Sequence, residues 1–200
     1  MRGGQKLFGN HVIHHAHQRL IIALHVIEPR RLGNLAKLVK RPDLHELFER
    51  PDTARQAIEV DPSNSEIIPI AASLLRRIGK YEEARTAFDR TLRMNPYPSL
   101  WVPREYATTL IALEAYPESK ALLERNLPRV TREGQRAPIM VDLAVIAVLE
   151  GNVTEGRRIC EEAKSETARF DLNGILSTRG GTTDKAFLDK FRATAYRACE

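Results

Sequence analysis

Two hundred residues, 42% hydrophobic and 28% charged, describe a globular chain rather than a disordered one, long enough for one extended domain. The formal net charge of +5 and pI near 9.4 make it basic. A solvated helical surface accounts for most of that charge, and basic residues are not clustered between aromatics as nucleic-acid binding requires, so nucleic acid is not an expected partner. The two cysteines, Cys160 and Cys199, are too few for a secreted disulfide framework.

No signal peptide is expected at Met1-Arg2-Gly3-Gly4, which is not followed by an apolar h-region. Its most apolar early stretch, Leu20 to Leu24, is far too short to span a bilayer. Residues 10–27 read as an amphipathic helix, with Val12, Ile13, Ala16, Leu20, Leu24 and Ile27 on one face and Glu28-Pro29 as its stop. Shorter helices follow over 31–62, broken at Pro42 and Pro51. Six regular helices are predicted over 65–166. The stretch 167–182 loosens, with Asn173-Gly174 and Arg179-Gly180-Gly181 as breakers. Thr183-Asp184 then starts a last helix to about 198, with Phe187, Leu188, Phe191, Ala195 and Ala198 on its apolar face; it caps the stack or docks a partner. Long alternating Val/Ile/Thr runs are absent, so no sheet is expected.

The most informative segment is 65–96. Gly79 is placed to end a helix in the left-handed conformation that glycine adopts cheaply. Tyr81 opens the next helix and is expected to pack back on the first. Ala84 permits close approach, Phe88 follows one turn on, and Asn95-Pro96 stops the helix. This pattern, Gly79-x-Tyr81-x-x-Ala84-x-x-x-Phe88 with Asn95-Pro96, resembles the tetratricopeptide repeat. Weaker copies occur at the expected period of about 34 residues. Upstream, Ala57 to Pro62 mirrors Thr91 to Pro96 in a degenerate unit. Downstream, Tyr106-Ala107 through Tyr116 to Leu123 and Leu127 repeats the plan, with Glu114 in the glycine position. Leu143-Ala144 through Gly151, Val153, Gly156, Cys160 and Ala163 repeats it again. The resemblance covers roughly residues 50–166 and is specific at 65–96.

The resemblance implies an all-α fold: a right-handed superhelical stack of antiparallel helix pairs, with extra N- and C-terminal helices. It implies one helical-repeat domain over 1–200, made of N-terminal helices and a degenerate repeat (1–64), three repeats (65–166), and a linker with a capping helix (167–200). Cys160 then takes a core position in a helix and is expected to be a free, inert thiol in a reducing cytoplasm.

The function implied is that of a non-catalytic scaffold or adaptor, needing no cofactor, whose concave groove holds a peptide or partner helix. In this family the first helix of each repeat lines the groove. Here that gives Ile70, Ser73, Arg76 and Arg77; then Trp101, Arg104, Glu105, Thr108 and Ile111; then Val141, Asp142, Val145 and Leu149. The family's lysine–asparagine clamp for chaperone tails is absent, because Pro69, Ser73, Glu105, Pro138 and Asp142 stand in its positions. Arg76, Arg77 and Arg104 either pair with carboxylates on an acidic or partly acidic peptide or are ordinary solvated arginines. Trp101 is either an anchor for a partner or filler at the repeat junction. An alternative is an accessory segment or subunit of a larger enzyme or assembly, including an RNA- or ribosome-associated one; Arg30-Arg31, Lys37, Lys40 and Arg41 are the nearest approach to a basic patch.

Other chemistry finds little support. His11, His14, His15 and His17 cluster, and His11 and His15 lie one helical turn apart, but no cysteine or carboxylate stands beside them, so no metal is expected. No phosphate-binding glycine loop or nucleophile elbow is present. Adjacent acidic pairs such as Glu82-Glu83 and Glu161-Glu162 diverge around a helix and cannot act as a dyad.

Overall fold

The computed structural model describes residues 51–131, 134–177 and 182–200; the expected helix at 10–27, the histidine cluster, the basic residues 30–41 and the turn at 179–181 lie outside them. Among the described residues the chain is all-helical, with α1 at Pro51–Val60, α2 at Ile67–Arg77, α3 at Tyr81–Met94, α4 at Trp101–Ala112 and α5 at Tyr116–Asn126. A 3-10 turn, Leu127–Arg129, leads to α6 at Arg136–Leu149, α7 at Val153–Ser165, the short α8 at Leu172–Ser177, and α9 at Lys185–Cys199. The dominant packing is sequential: α2 with α3, α4 with α5, and α6 with α7, each pair stacked on the next. This is an α-solenoid of helix pairs, each burying its apolar face against its neighbours.

The three pairs are joined by the same turn. Gly79, Glu114 and Gly151 have φ of 76°, 58° and 89°. The N–H of the following residue reaches back in each case: Lys80 to Leu75 O at 2.8 Å, Ala115 to Leu110 O at 2.9 Å and Asn152 to Ala147 O at 2.8 Å. This is the Schellman closure, and it needs a left-handed residue. Glutamate at the second turn adopts that conformation at a cost glycine avoids.

Each second helix then places a small residue at the seam and a bulkier one a turn later. Ala84, Ser119 and Gly156 are buried, as are Phe88, Leu123 and Cys160. At Gly156 a Cβ would lie 2.6 Å from Val148 Cγ2 and 3.0 Å from the Ala144 carbonyl oxygen, so α6 and α7 approach more closely than any side chain allows. Ser119 Oγ donates to Ala107 O at 3.0 Å, satisfying its hydroxyl inside the seam. Ala84 is 0% exposed at the α2–α3 seam. Ala84→Leu is expected to cost about 1–3 kcal/mol by overpacking; an unchanged urea midpoint would show that α2 and α3 do not meet there.

The first helices share a further feature. Pro69, Pro103 and Pro138 each occupy the third position of α2, α4 and α6. A first-turn N–H has no intrahelical acceptor, so proline is tolerated there and fixes the helix start.

Two sequence expectations need correction. Cys160 is not a free thiol: it forms a disulfide with Cys199 across 39 residues, with Cα atoms 5.3 Å apart. Both side chains lie in the α7–α9 contact, where α9 returns against the last repeat. Asn173-Gly174 does not break the chain but sits inside α8, where Phe170 and Ile175 pack on Ala137, Met140 and Ala163; this burial outweighs the helix cost of one glycine, about 1 kcal/mol. Tyr81, at the start of α3, also meets Phe187 of α9, with ring centroids 5.8 Å apart and planes tilted by 58°, and its hydroxyl donates to Asp184 at 3.0 Å.

Candidate functional site: the first-helix face

The face was expected to be lined by α2, α4 and α6, and the structure draws α2 and α4 together through one half-buried carboxylate. Glu105 of α4 accepts from Ser73 Oγ and from Arg76 Nε of α2, both at 2.8 Å. The Arg76 side chain is only 5% exposed and Glu105 23%. Arg76 is therefore not a solvent-facing groove cation: its charge is neutralised within the fold. Its Nη1 atom is buried and makes no hydrogen bond among the described residues. Back-bonds from Thr108 Oγ1 to Arg104 O and Thr109 Oγ1 to Glu105 O, both 3.0 Å, satisfy two buried hydroxyls on α4.

The remaining predicted residues separate by exposure. Arg77 and Arg104 are half-buried, as are Ile70 and Ser73. Trp101, at the start of α4, is 38% exposed. Thr108 and Asp142 are fully buried, as are Ile111, Val141 and Val145, so none of these is open to a ligand. The difference lies in α6, which is buried continuously from Ile139 to Val148 and packs against α9 as well as α7. The accessible part of the predicted groove consequently lies on α2 and α4, with Leu149 at the end of α6 also half-buried.

Two neighbourhoods escaped sequence reading. At the α3–α4 turn, Met94 (38% exposed) and Tyr97 (73% exposed) lie close in sequence to Trp101, and the Arg129 guanidinium sits 5.6 Å above the Tyr97 ring. Only the spacing of exposed aromatics after Pro96 could have signalled this. At the opposite ends of the first helices, α9 arrives. Thr183 N–H donates to Arg77 O at 2.7 Å, Asp184 caps α9 by accepting from Phe187 N–H at 2.9 Å, and Lys190 pairs with Glu114 at 2.9 Å. Burial, reinforced by the Asp184 carboxylate, pushes the Tyr81 phenol up to about 12. The Lys190 ammonium holds the exposed Glu114 carboxyl below its usual range. The Asp–Thr start of α9 was legible in sequence; its landing place was not.

Among the described residues no group of three or more His, Cys, Asp or Glu side chains is arranged to hold a metal, and no helix is long and apolar enough to cross a membrane.

No family model matches the chain. No curated protein is similar to it. Among solved structures, the chain is similar to one described as "Structure of Naa15/Naa10 bound to HypK-THB", at 18% identity and a TM-score of 0.39, covering 72% of this chain and 25% of that one. The chain thus spans about a quarter of the chain it matches. At that level of likeness nothing about partner or activity passes to this protein.

Proposed function

We propose that this protein is a non-catalytic scaffold of the tetratricopeptide kind that holds a peptide or a partner helix against the first helices α2 and α4. The observation supporting this is the joint seat of Ser73 and Arg76 on Glu105, which fixes two successive first helices side by side. The half-buried Ile70, Ser73, Arg77 and Arg104 belong to this α2–α4 face, and the exposed Trp101 opens α4. A rigid face of this kind, with an aromatic anchor and adjacent cations, suits side-chain recognition better than chemistry.

Internal pairing of Arg76 narrows the electrostatic expectation. The ligand is partly acidic rather than strongly so, because Glu105 already neutralises Arg76. A partner captured by affinity purification and identified by mass spectrometry provides the probe. Arg77→Glu combined with Trp101→Ala is expected to weaken that partner's binding at least about tenfold, equivalent to about 1.4 kcal/mol. Arg157→Glu, on the exposed outer side of α7, is expected to leave it unchanged. Undiminished affinity in the first variant would place the partner elsewhere on the chain.

A further inference from the structure

Arg129 is held unlike the arginines that stitch the helices together. Arg55, Arg76, Arg85 and Arg136 each meet a carboxylate, on Glu83, Glu105, Glu118 and Glu166. Arg129 is fixed by neutral groups instead. Its Nη1 donates to Asn126 Oδ1 at 2.6 Å, its Nη2 donates to Pro98 O at 2.9 Å, and its guanidinium carbon lies 5.6 Å from the Tyr97 ring centroid. Among the described residues no carboxylate pairs with it.

Local sequence sets this posture. Asn126 ends α5 and is buried; its Nδ2 donates to Leu122 O at 2.8 Å, which leaves its Oδ1 to accept from Arg129. Leu127-Pro128-Arg129 then forms the 3-10 turn, where the proline ring fixes φ. Pro98 is buried, so the carbonyl that receives Nη2 belongs to a fixed wall. Asn95 Oδ1 accepts from the Tyr97 N–H at 3.1 Å, an Asx turn that holds the backbone under the ring.

The outcome is a cation that is positioned but not neutralised. Arg129 is half-buried, while Tyr97 beneath it is 73% exposed. Further N–H donors of the guanidinium, Nε among them, have no acceptor among the described residues. A planar fork already oriented by its surroundings loses little freedom on pairing with a carboxylate, and partial dehydration strengthens the contact. Apolar surface gathers at the same turn. Among the described residues the exposed large hydrophobic side chains are Val60, Met94, Tyr97 and Trp101, and all but Val60 flank it.

We infer that Arg129, seated on Tyr97, receives a carboxylate of a peptide partner, with a large apolar residue of the same peptide packed beside it against Tyr97. The site rests on the scaffold reading and adds to it the seat of an acidic residue at the start of the α2–α4 face, where Trp101 opens α4. One fixed fork beside a short apolar strip matches peptide side chains; a nucleic-acid strand calls for a run of cations along its backbone.

The test uses the full chain and a pool of acetylated, amidated hexapeptides in which one Glu is flanked by Leu, Phe or Tyr. The control is the same pool with Gln for Glu. Nuclear magnetic resonance follows the Arg129 Nε–H and the Trp101 indole N–H. The Glu pool is expected to bind at least about tenfold more tightly than the Gln pool and to shift the Arg129 Nε–H signal. Arg129→Gln is expected to abolish that preference, and Arg129→Lys to restore little of it, because an ammonium cannot form the fork. Tyr97→Ala, at a side chain already mostly in solvent, is expected to weaken the Glu pool several-fold without unfolding the chain, so the site stays testable if Arg129→Gln unfolds. Equal binding of the two pools, including none by either, would overturn the inference, as would a preference that survives Arg129→Gln or Tyr97→Ala, or full recovery with Arg129→Lys. Tighter binding of a single-stranded uridine oligonucleotide, lost in Arg129→Gln, would overturn the assignment to a peptide. A captured partner that responds to the Arg77 and Trp101 substitutions but not to Arg129→Gln would remove this site and leave the scaffold reading standing. A partner that responds to Arg129→Gln alone would remove the α2–α4 reading and leave this site.

Discussion

Phe88→Ala is expected to destabilise the fold by about 3–5 kcal/mol, the range for deleting a fully buried aromatic side chain. Phe88 is 0% exposed and stacks on Tyr106 at 5.3 Å, so it joins the α2–α3 pair to the α4–α5 pair. Two losses add: the transfer free energy of the ring and the cavity left between rigid helices. Tyr106 cannot swing into the gap, because its hydroxyl donates to Asp89 of α3. In a stack where each pair contacts only its neighbours, weakening one interface also uncouples the units on either side. Urea denaturation should therefore show a lower midpoint with a broadened transition. A midpoint shift worth less than about 1 kcal/mol would mean that Phe88 does not sit at the junction.

Arg76→Ala is expected to cost about 3 kcal/mol for a different reason. The substitution removes the cation from a pair whose arginine side chain is 5% exposed, leaving the Glu105 carboxylate without it in a largely dehydrated setting. The Ser73 hydroxyl, at 2.8 Å, cannot replace a full charge. The double variant Arg76→Met with Glu105→Leu should recover most of the loss, because an apolar pair carries no desolvation penalty. By contrast, Arg158→Ala is expected to change stability by less than about 1 kcal/mol, because its pairs with Glu155 and Glu162 lie on the surface with the arginine 61% exposed. Chemical denaturation of the three variants checks both statements. Equal costs for Arg76→Ala and Arg158→Ala would show that the α2–α4 pair is not buried.

The repeat was readable because its requirements are local. A left-handed turn at Gly79 and Gly151, a small residue at Ala84 and Gly156, and a bulky one at Phe88 are each demanded by the backbone a few residues away. Even the departure at Glu114 was visible, since it occupies the glycine's position and takes the same φ sign. What sequence could not supply was pairing between distant segments. Nothing in a list of first-helix residues distinguishes Arg76, buried on Glu105, from Arg77, half-buried beside it. Adjacent helix positions point about 100° apart, and small differences in register decide which one enters the seam. Cys199 and Tyr81 escaped for the same reason: their partners, Cys160 and Phe187 with Asp184, are set by where α9 lands. Reading Val141, Asp142 and Val145 as groove residues followed the family pattern but did not anticipate that the last repeat is covered.

The central claim is that partners bind the α2–α4 face, and site-specific photocrosslinking in cells tests it most directly. A benzoylphenylalanine placed at Arg77 or Trp101, on the first helices, is expected to form a discrete adduct with a protein partner; the same group at Arg90 or Arg157, on second helices, should form none. Adducts confined to the second-helix positions, with positions 77 and 101 silent, would contradict the account.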